Sequence, residues 1–422
     1  MKQKTALTVS VLLSSTLFLV GCAGFISADE EAVSGDYGPQ YTLEEHQLRT
    51  FEGLWQIFGE NYIYYETADA DWAALHDTYV AQINEGLTDE EFIALMHQLE
   101  TDLPAGSLVY QARPERIESD TTDNSTYEGI GAFVGFEAEE TPRIIILGVI
   151  QGSPAEVAGI KPHDSILAID GSPVLLEEGL NAVQRVRGPA GTKVTLSVLS
   201  PGRSERSIEV TRAELISIGK LESYLVDETN YGYILLPPIA YEGLLADLLA
   251  AMQNFTTNNT LDGLILDLRV AGATGGWPLQ ELLTLFHNGG VGEFYNSTRQ
   301  EQAVSVQGED LYSSQTVPLV LLVGSHTRGF PEILAGSLQA NDRAIVIGET
   351  TPGAVETTTS FYLLDGSRIF VETTSFRLPN GQEIGTTGVQ PDVAVEAGWD
   401  EVLPTDDPVF LAALQALESD DK

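Results

Sequence analysis

The sequence predicts a multidomain α+β chain: a helical N-terminal segment, a small β domain, and a larger core of alternating strands and helices. Its 422 residues exceed one ordinary domain, and at ~150 residues per domain imply two or three. Apolar residues recur at helical spacing from about Thr42, give way near Tyr127 to short β-rich runs broken by Gly and Pro, and after Glu214 alternate between strand and helix patterns. Hydrophobic residues make up 43% and aromatics 8%, so neither a disordered nor a fibrous chain is expected.

The first residues carry Lys2 and Lys4 and then an apolar run from Ala6 to Val20, too short to span a membrane comfortably and built like a secretory signal. The run ends in Leu19-Val20-Gly21-Cys22, which resembles a bacterial lipobox and implies lipidation at Cys22 after cleavage. Cys22 is the only cysteine, so an intramolecular disulfide and a cysteine metal site are both excluded. The expected location is the cell envelope, with the folded body held outside the cytoplasm by a membrane lipid anchor. Net charge is −41, from 21 Lys+Arg against 62 Asp+Glu, and removal of residues 1–21 takes away two more positive charges. Such a surface repels phosphate backbones, so nucleic acid is not an expected partner.

Residues 23–40 lack apolar periodicity and read as a tether. Phe51, Leu54, Trp55 and Phe58 share one helical face, Trp72, Leu75 and Tyr79 a second, and Leu87-Thr88-Asp89-Glu90-Glu91 opens a third helix with a capping box from Thr88 to Glu91. These aromatics are expected in a core. Strands are expected at Ile144-Leu147, Ser165-Ile169, Val194-Val198, Gly232-Leu236, Gly263-Asp267 and Pro318-Val323, and helices at 241–254, 278–287 and 331–340.

The stretch Gly152-Ser153-Pro154-Ala155-Glu156-Val157-Ala158-Gly159-Ile160, with Asp164, Ile166 and Ile169-Asp170-Gly171, resembles a PDZ domain. The likeness continues in Arg187-Gly188-Pro189-Ala190-Gly191-Thr192 and Ile208-Glu209-Val210-Thr211-Arg212. It implies binding of polypeptide carboxyl termini: a glycine-rich loop offers amides to the carboxylate while the peptide adds a strand to a sheet edge. Gly129-Ile130-Gly131 is the expected loop, and Ile130, Ala132 and Val134 follow at period two as the expected groove wall.

Leu264-Ile265-Leu266-Asp267-Leu268-Arg269 followed by Gly275-Gly276 resembles the carboxyl-terminal processing peptidases, tail-specific serine proteases with a ClpP/crotonase-like α/β core. Pro318-Val323, Glu332-Gln339, Arg343-Val346, Gly348-Thr351, Asn380-Gly381 and Gly388-Asp392 continue the resemblance. In that family the paired glycines supply oxyanion donors, here Gly275 and Gly276 after a longer connection than usual. The family's nucleophilic serine falls on Gly329, its lysine base on Ala354, and its third position, a glutamine, on Thr358. A serine hydroxyl needs an adjacent base to attack, and Gly329 and Ala354 supply neither half. Beyond the signal the lysines are Lys161, Lys193, Lys220 and Lys422, so the core has none to recruit.

The resemblance divides the chain into a lipoprotein signal at 1–21, a tether at 22–40, a helical domain at 41–115, a PDZ-like domain at 116–214, a peptidase-like core at 215–403 and a tail at 404–422. Three functions follow in order: a catalytically inactive binder of unfolded or C-terminal polypeptide segments, an active endopeptidase with altered residues, and a structural envelope lipoprotein. The second would use Ser325 or Thr327 as nucleophile with His326 or His287 as base. The six histidines show no His-x-x-x-His spacing, so neither metal nor cofactor is expected. The segment Glu214–Ser223 is the expected hinge between PDZ-like domain and core.

Overall fold

The computed structural model describes residues 41–121, 126–138, 141–216, 221–257, 260–272, 276–403 and 406–420. Cys22, the signal, the tether, Gly275 and hinge residues 217–220 lie outside these. Helix α1 (Leu43–Asn61) opens on a capping box in which Thr42 and Glu45 each accept from the other's amide, and the expected box of Thr88 and Glu91 opens α3 (Asp89–Asp102). Between them lies α2 (Trp72–Ile83). Phe51, Leu54 and Phe58 are fully buried, and with Tyr79, Met96 and Leu99 they pack on Leu108, Tyr110, Ile369 and Val371. Leu108 and Tyr110 belong to β1 (Leu108–Gln111), so the helical segment shares its core with strands from the far end of the chain. Helix α4 (Arg113–Thr121) leads out.

The next unit contains β2 (Thr126–Gly129), β3 (Ala132–Glu137), β4 (Arg143–Val149), α5 (Pro154–Val157), β5 (Ser165–Ile169), β6 (Ser172–Pro173), a 3-10 segment (Leu176–Ala182), α6 (Val183–Val186), β7 (Lys193–Leu199), β8 (Arg206–Thr211) and β9 (Ala213–Ile216). Its antiparallel sheet runs β3-β4-β5-β7-β8 with β6 beside β5, and β2 pairs with β9 at the neck. Alternate residues Ile144, Ile146, Leu196 and Val198 fill its core, as period two requires. Strand β3 lies at the sheet edge with one side unpaired.

The core comprises β10 (Glu222–Leu225), β11 (Tyr231–Leu235), α7 (Leu244–Thr256), β12 (Gly263–Asp267), α8 (Leu279–Phe286), β13 (Gly289–Asn296), β14 (Glu301–Val306), β15 (Leu319–Val323), α9 (Phe330–Ala340), β16 (Ile345–Gly348), β17 (Thr357–Tyr362), β18 (Arg368–Arg377), β19 (Val393–Ala394) and α10 (Pro408–Asp420). One sheet runs β10-β11-β12-β15-β16-β19 and is parallel except at β10. Every residue of β12 and β15 is buried because both faces are covered, which explains their unbroken apolar runs. Helices α7, α8 and α9 cover one face and α10 the other. Residues 408–420, read from sequence as tail, are thus a helix that buries Val409, Ala413 and Leu417 at i, i+4 and i+8. A second sheet, β1-β18-β13-β14 with β17 beside β18, was not read from sequence, because its strands are half exposed and rich in Thr, Glu and Ser.

Candidate active-site region and peptide groove

The chain reverses after β15, and Gly329 starts α9 with φ 74° and ψ −126°, a conformation that strains any residue with a Cβ. Glu332, one turn into the helix, is fully buried. Its carboxylate accepts from the Gly329 amide at 2.9 Å, the Gly353 amide at 2.6 Å and the Ala354 amide at 2.8 Å. Burial raises its ionisation above the ordinary carboxylate range, while the Thr351 hydroxyl and these amides oppose the rise. The structure therefore brings Gly329 and Ala354 together, clamped on one carboxylate. In sequence Glu332 marks only a helix start, and its position three residues after a glycine is the signal for this cap. Neither position has a side chain that can attack or accept a proton. Thr358 lies exposed on β17, directly across from Glu372 on β18. Gly276 is exposed with φ 87°.

Thr327 and His326, two of the replacement residues, are held by their surroundings. Thr327 Oγ1 is buried, donating to the Leu268 carbonyl and accepting from the Gly324 amide, each at 2.9 Å, so it fastens the loop after β15 to the end of β12. The Ser325 amide donates to the Glu349 carboxylate, and among the described residues no hydrogen bond joins Ser325 or Thr327 to an imidazole. His326 is 8% exposed, its ring packed against Gly135 of β3. Burial pushes its ionisation down to about 4, Arg328 reinforcing and Asp400 opposing, so the ring is neutral at ordinary pH. His287 stands at the opposite end of α9, ~16 Å of helix away, where its backbone neighbours meet Arg343 and Asn341. The structure does not assemble His287 with Ser325 or Thr327.

Gly129-Ile130-Gly131, the segment expected to take a carboxylate, forms a tight turn between β2 and β3. Gly131 has φ 85°, and a Cβ there would come within 2.3 Å of Ser153 Cβ, so only glycine fits. The carbonyls of Ile130 and Gly131 accept from Ala155 and Ile150, while their amides have no acceptor among the described residues. Ile130 and Gly131 line a groove of about 950 Å³ between β3 and the segment from Leu180 to Arg187. Ile130, Ala132 and Val134 line it, with Phe136 continuing the same face, and Phe133 of the opposite face reaches it as well. At its far side the groove reaches Pro238, Gly272, His326 and Arg328 of the core, so its walls come from both units.

Trp399 and Asp400 hold the two units together, and sequence offered no signal for either. Trp399 stacks on His163 with centroids 3.9 Å apart, donates from its indole to the Ile146 carbonyl at 3.0 Å, and packs with Ile145, Leu147 and Val270. His163 donates from Nδ1 to the Trp399 carbonyl at 2.6 Å, and Asp400 accepts from Arg143 and Ser165. Beneath this contact lies a buried ion pair of Arg269 with Asp267 and Asp407, at 2.6 and 2.7 Å.

Comparison with known proteins agrees with these parts. Residues 230–395 match the model of peptidase family S41, residues 145–200 a PDZ domain, and residues 44–99 the tricorn protease C1 domain. A carboxyl-terminal-processing protease of Synechocystis is 30% identical over 375 residues, covering 86% of this chain and 85% of that protein. The chloroplastic carboxyl-terminal-processing peptidase 2 of Arabidopsis thaliana is 26% identical over 419 residues, 96% of this chain and 76% of that one. Among solved structures, a photosystem II D1 C-terminal processing protease superposes with a TM-score of 0.64 at 24% identity, covering 87% of this chain and 96% of that one. With a 30% identical relative matched over most of both lengths and a core that fits the family's model, the chain belongs to peptidase family S41, the carboxyl-terminal processing proteases.

Proposed function

We propose that this protein is a catalytically inactive, lipid-anchored member of its family that captures unfolded or C-terminal polypeptide segments in the cell envelope without cutting them. The observation that carries this is the pairing of Gly329 with Ala354 across the Glu332 carboxylate: the backbone positions of nucleophile and base meet, and neither bears a reacting group. Covalent catalysis by such a pair collapses when either half is lost. The replacement set argues the same way, since Thr327 is tied into the backbone and among the described residues no hydrogen bond joins Ser325 or Thr327 to His326. Binding is supported by the amides of Ile130 and Gly131 and the outer edge of β3, which have no backbone partner among the described residues. The anchor rests on Cys22 after its apolar run.

Incubation of the folded body with an unfolded protein and with a serine-reactive phosphonate should give neither cleavage nor labelling. Cleavage that disappears when Ser325, His326 and Thr327 are exchanged for alanine would replace this reading with the altered-peptidase one. A peptide with a free carboxyl terminus should bind more tightly than its amidated twin; equal affinities would remove the capture function. Cys22→Ser should leave the protein unprocessed or release it from membranes, and unchanged membrane association of a processed variant would refute the anchor.

A further inference from the structure

The groove is an electrostatic exception. The chain carries 62 acidic residues against 21 basic ones, yet no carboxylate lines the groove, whose charged members are Arg187 and Arg328 beside the neutral His326. Many arginines elsewhere meet carboxylates, among them Arg143, Arg185, Arg206, Arg269, Arg368 and Arg377, while Arg212 and Arg343 are spent on backbone carbonyls. The side chains of Arg187 and Arg328 are exposed and have no partner among the described residues.

The two arginines serve different ends. The turn after Arg187 is held beside the carboxylate loop, because the Ala190 amide donates to Glu128 at 3.0 Å, so Arg187 stands where a peptide would end. Arg328 belongs to the core loop that meets β3 at Gly135 through His326. Gly135 lies four residues along β3 from Gly131, ~13 Å at ~3.3 Å per residue. A peptide antiparallel to β3 with its terminus at Ile130 and Gly131 therefore passes Arg328 several residues before its end. The guanidinium rises from a fixed base, since the Arg328 amide donates to the Ala271 carbonyl at 3.0 Å and Thr327 is bonded on both sides.

We propose that Arg328 determines specificity by pairing with an acidic side chain a few residues upstream of the bound carboxyl terminus, so that the preferred tail is apolar at its end and acidic before it. This rests on the reading that the groove takes carboxyl termini. Arg328 stands beside the empty nucleophile position, and a cation there holds a passing chain by charge instead of reacting with it.

The test is a fluorescence-anisotropy titration of the folded body with short peptides that end in an apolar residue. A single Asp is moved from the third to the seventh position before the terminus, with Asn and amidated controls. Asp should bind about fivefold tighter than Asn at one or two adjacent positions, the upper range for a partly exposed ion pair, and the gap should shrink in high salt. Arg328→Gln should erase the gap while keeping the preference for a free carboxylate, and Arg328→Glu should favour Lys over Asp at the same position. Absence of a gap, or a gap that survives Arg328→Gln, overturns this inference alone. Equal binding of free and amidated peptides overturns the carboxylate reading and this inference with it.

Discussion

Glu372 offers a stability measurement whose sign can be worked out in advance. Its half-buried carboxyl lies where the helical segment meets β18: the Ile63 amide donates to its carbonyl, and a Cβ on Gly106 would come within 2.9 Å of its Oε1. Burial, and then the charge of Glu356, push its ionisation from 4.5 up to about 7. The displacement corresponds to about 3.4 kcal/mol against the charged form. Residual solvent around the carboxyl reduces this to about 1–2 kcal/mol. Because the folded protein holds this proton between pH 4.5 and about 7 while the unfolded chain releases it, the contribution is fully present below 4.5 and is lost as pH rises through 7. Glu372→Gln imitates the neutral acid, so urea unfolding at pH 5 should change little, whereas at pH 8 the variant should be more stable by about 1–2 kcal/mol. Equal shifts at both pH values, or destabilisation at pH 8, would refute the reasoning, since the amide would then be replacing a contact rather than a charge.

Thr327→Val leaves the buried Gly324 amide and Leu268 carbonyl unpaired and should lower stability by about 1–3 kcal/mol, measured by denaturant unfolding; unchanged stability would mean that Thr327 does not fasten this loop. Trp399→Ala removes the stack on His163 and the bond to Ile146, and should speed amide exchange across β4 and the residues around His163 while the core strands β12 and β15 stay protected; unchanged exchange would mean that Asp400 alone holds the units. Gly131→Ala must fit a side chain at φ 85° against Ser153, and should abolish discrimination between free and amidated peptides in a binding titration.

What could be read along the chain was what depends on neighbours in sequence. The Thr88–Glu91 capping box involves residues three apart, the strands Ser165–Ile169 and Gly263–Asp267 announced themselves as short apolar runs between breakers, and the absence of a serine at 329 and a lysine at 354 is a fact of composition. The turn at Gly131 was legible for the same reason, since a glycine marks a local backbone conformation. Pairing over long separations was not. Strand β1 finds β18 some 260 residues away, Trp399 finds His163, and Glu332 binds amides of a turn twenty residues on; each contact is chosen by how whole layers pack, for which no local pattern exists. The surroundings of Thr327 and His326 were decided in the same way. A threonine and a histidine side by side in a loop fit a reactive pair or a structural one equally well in sequence, and only the placement of the Leu268 carbonyl and of Gly135 makes Thr327 a fastening and His326 a buried, neutral wall of the groove.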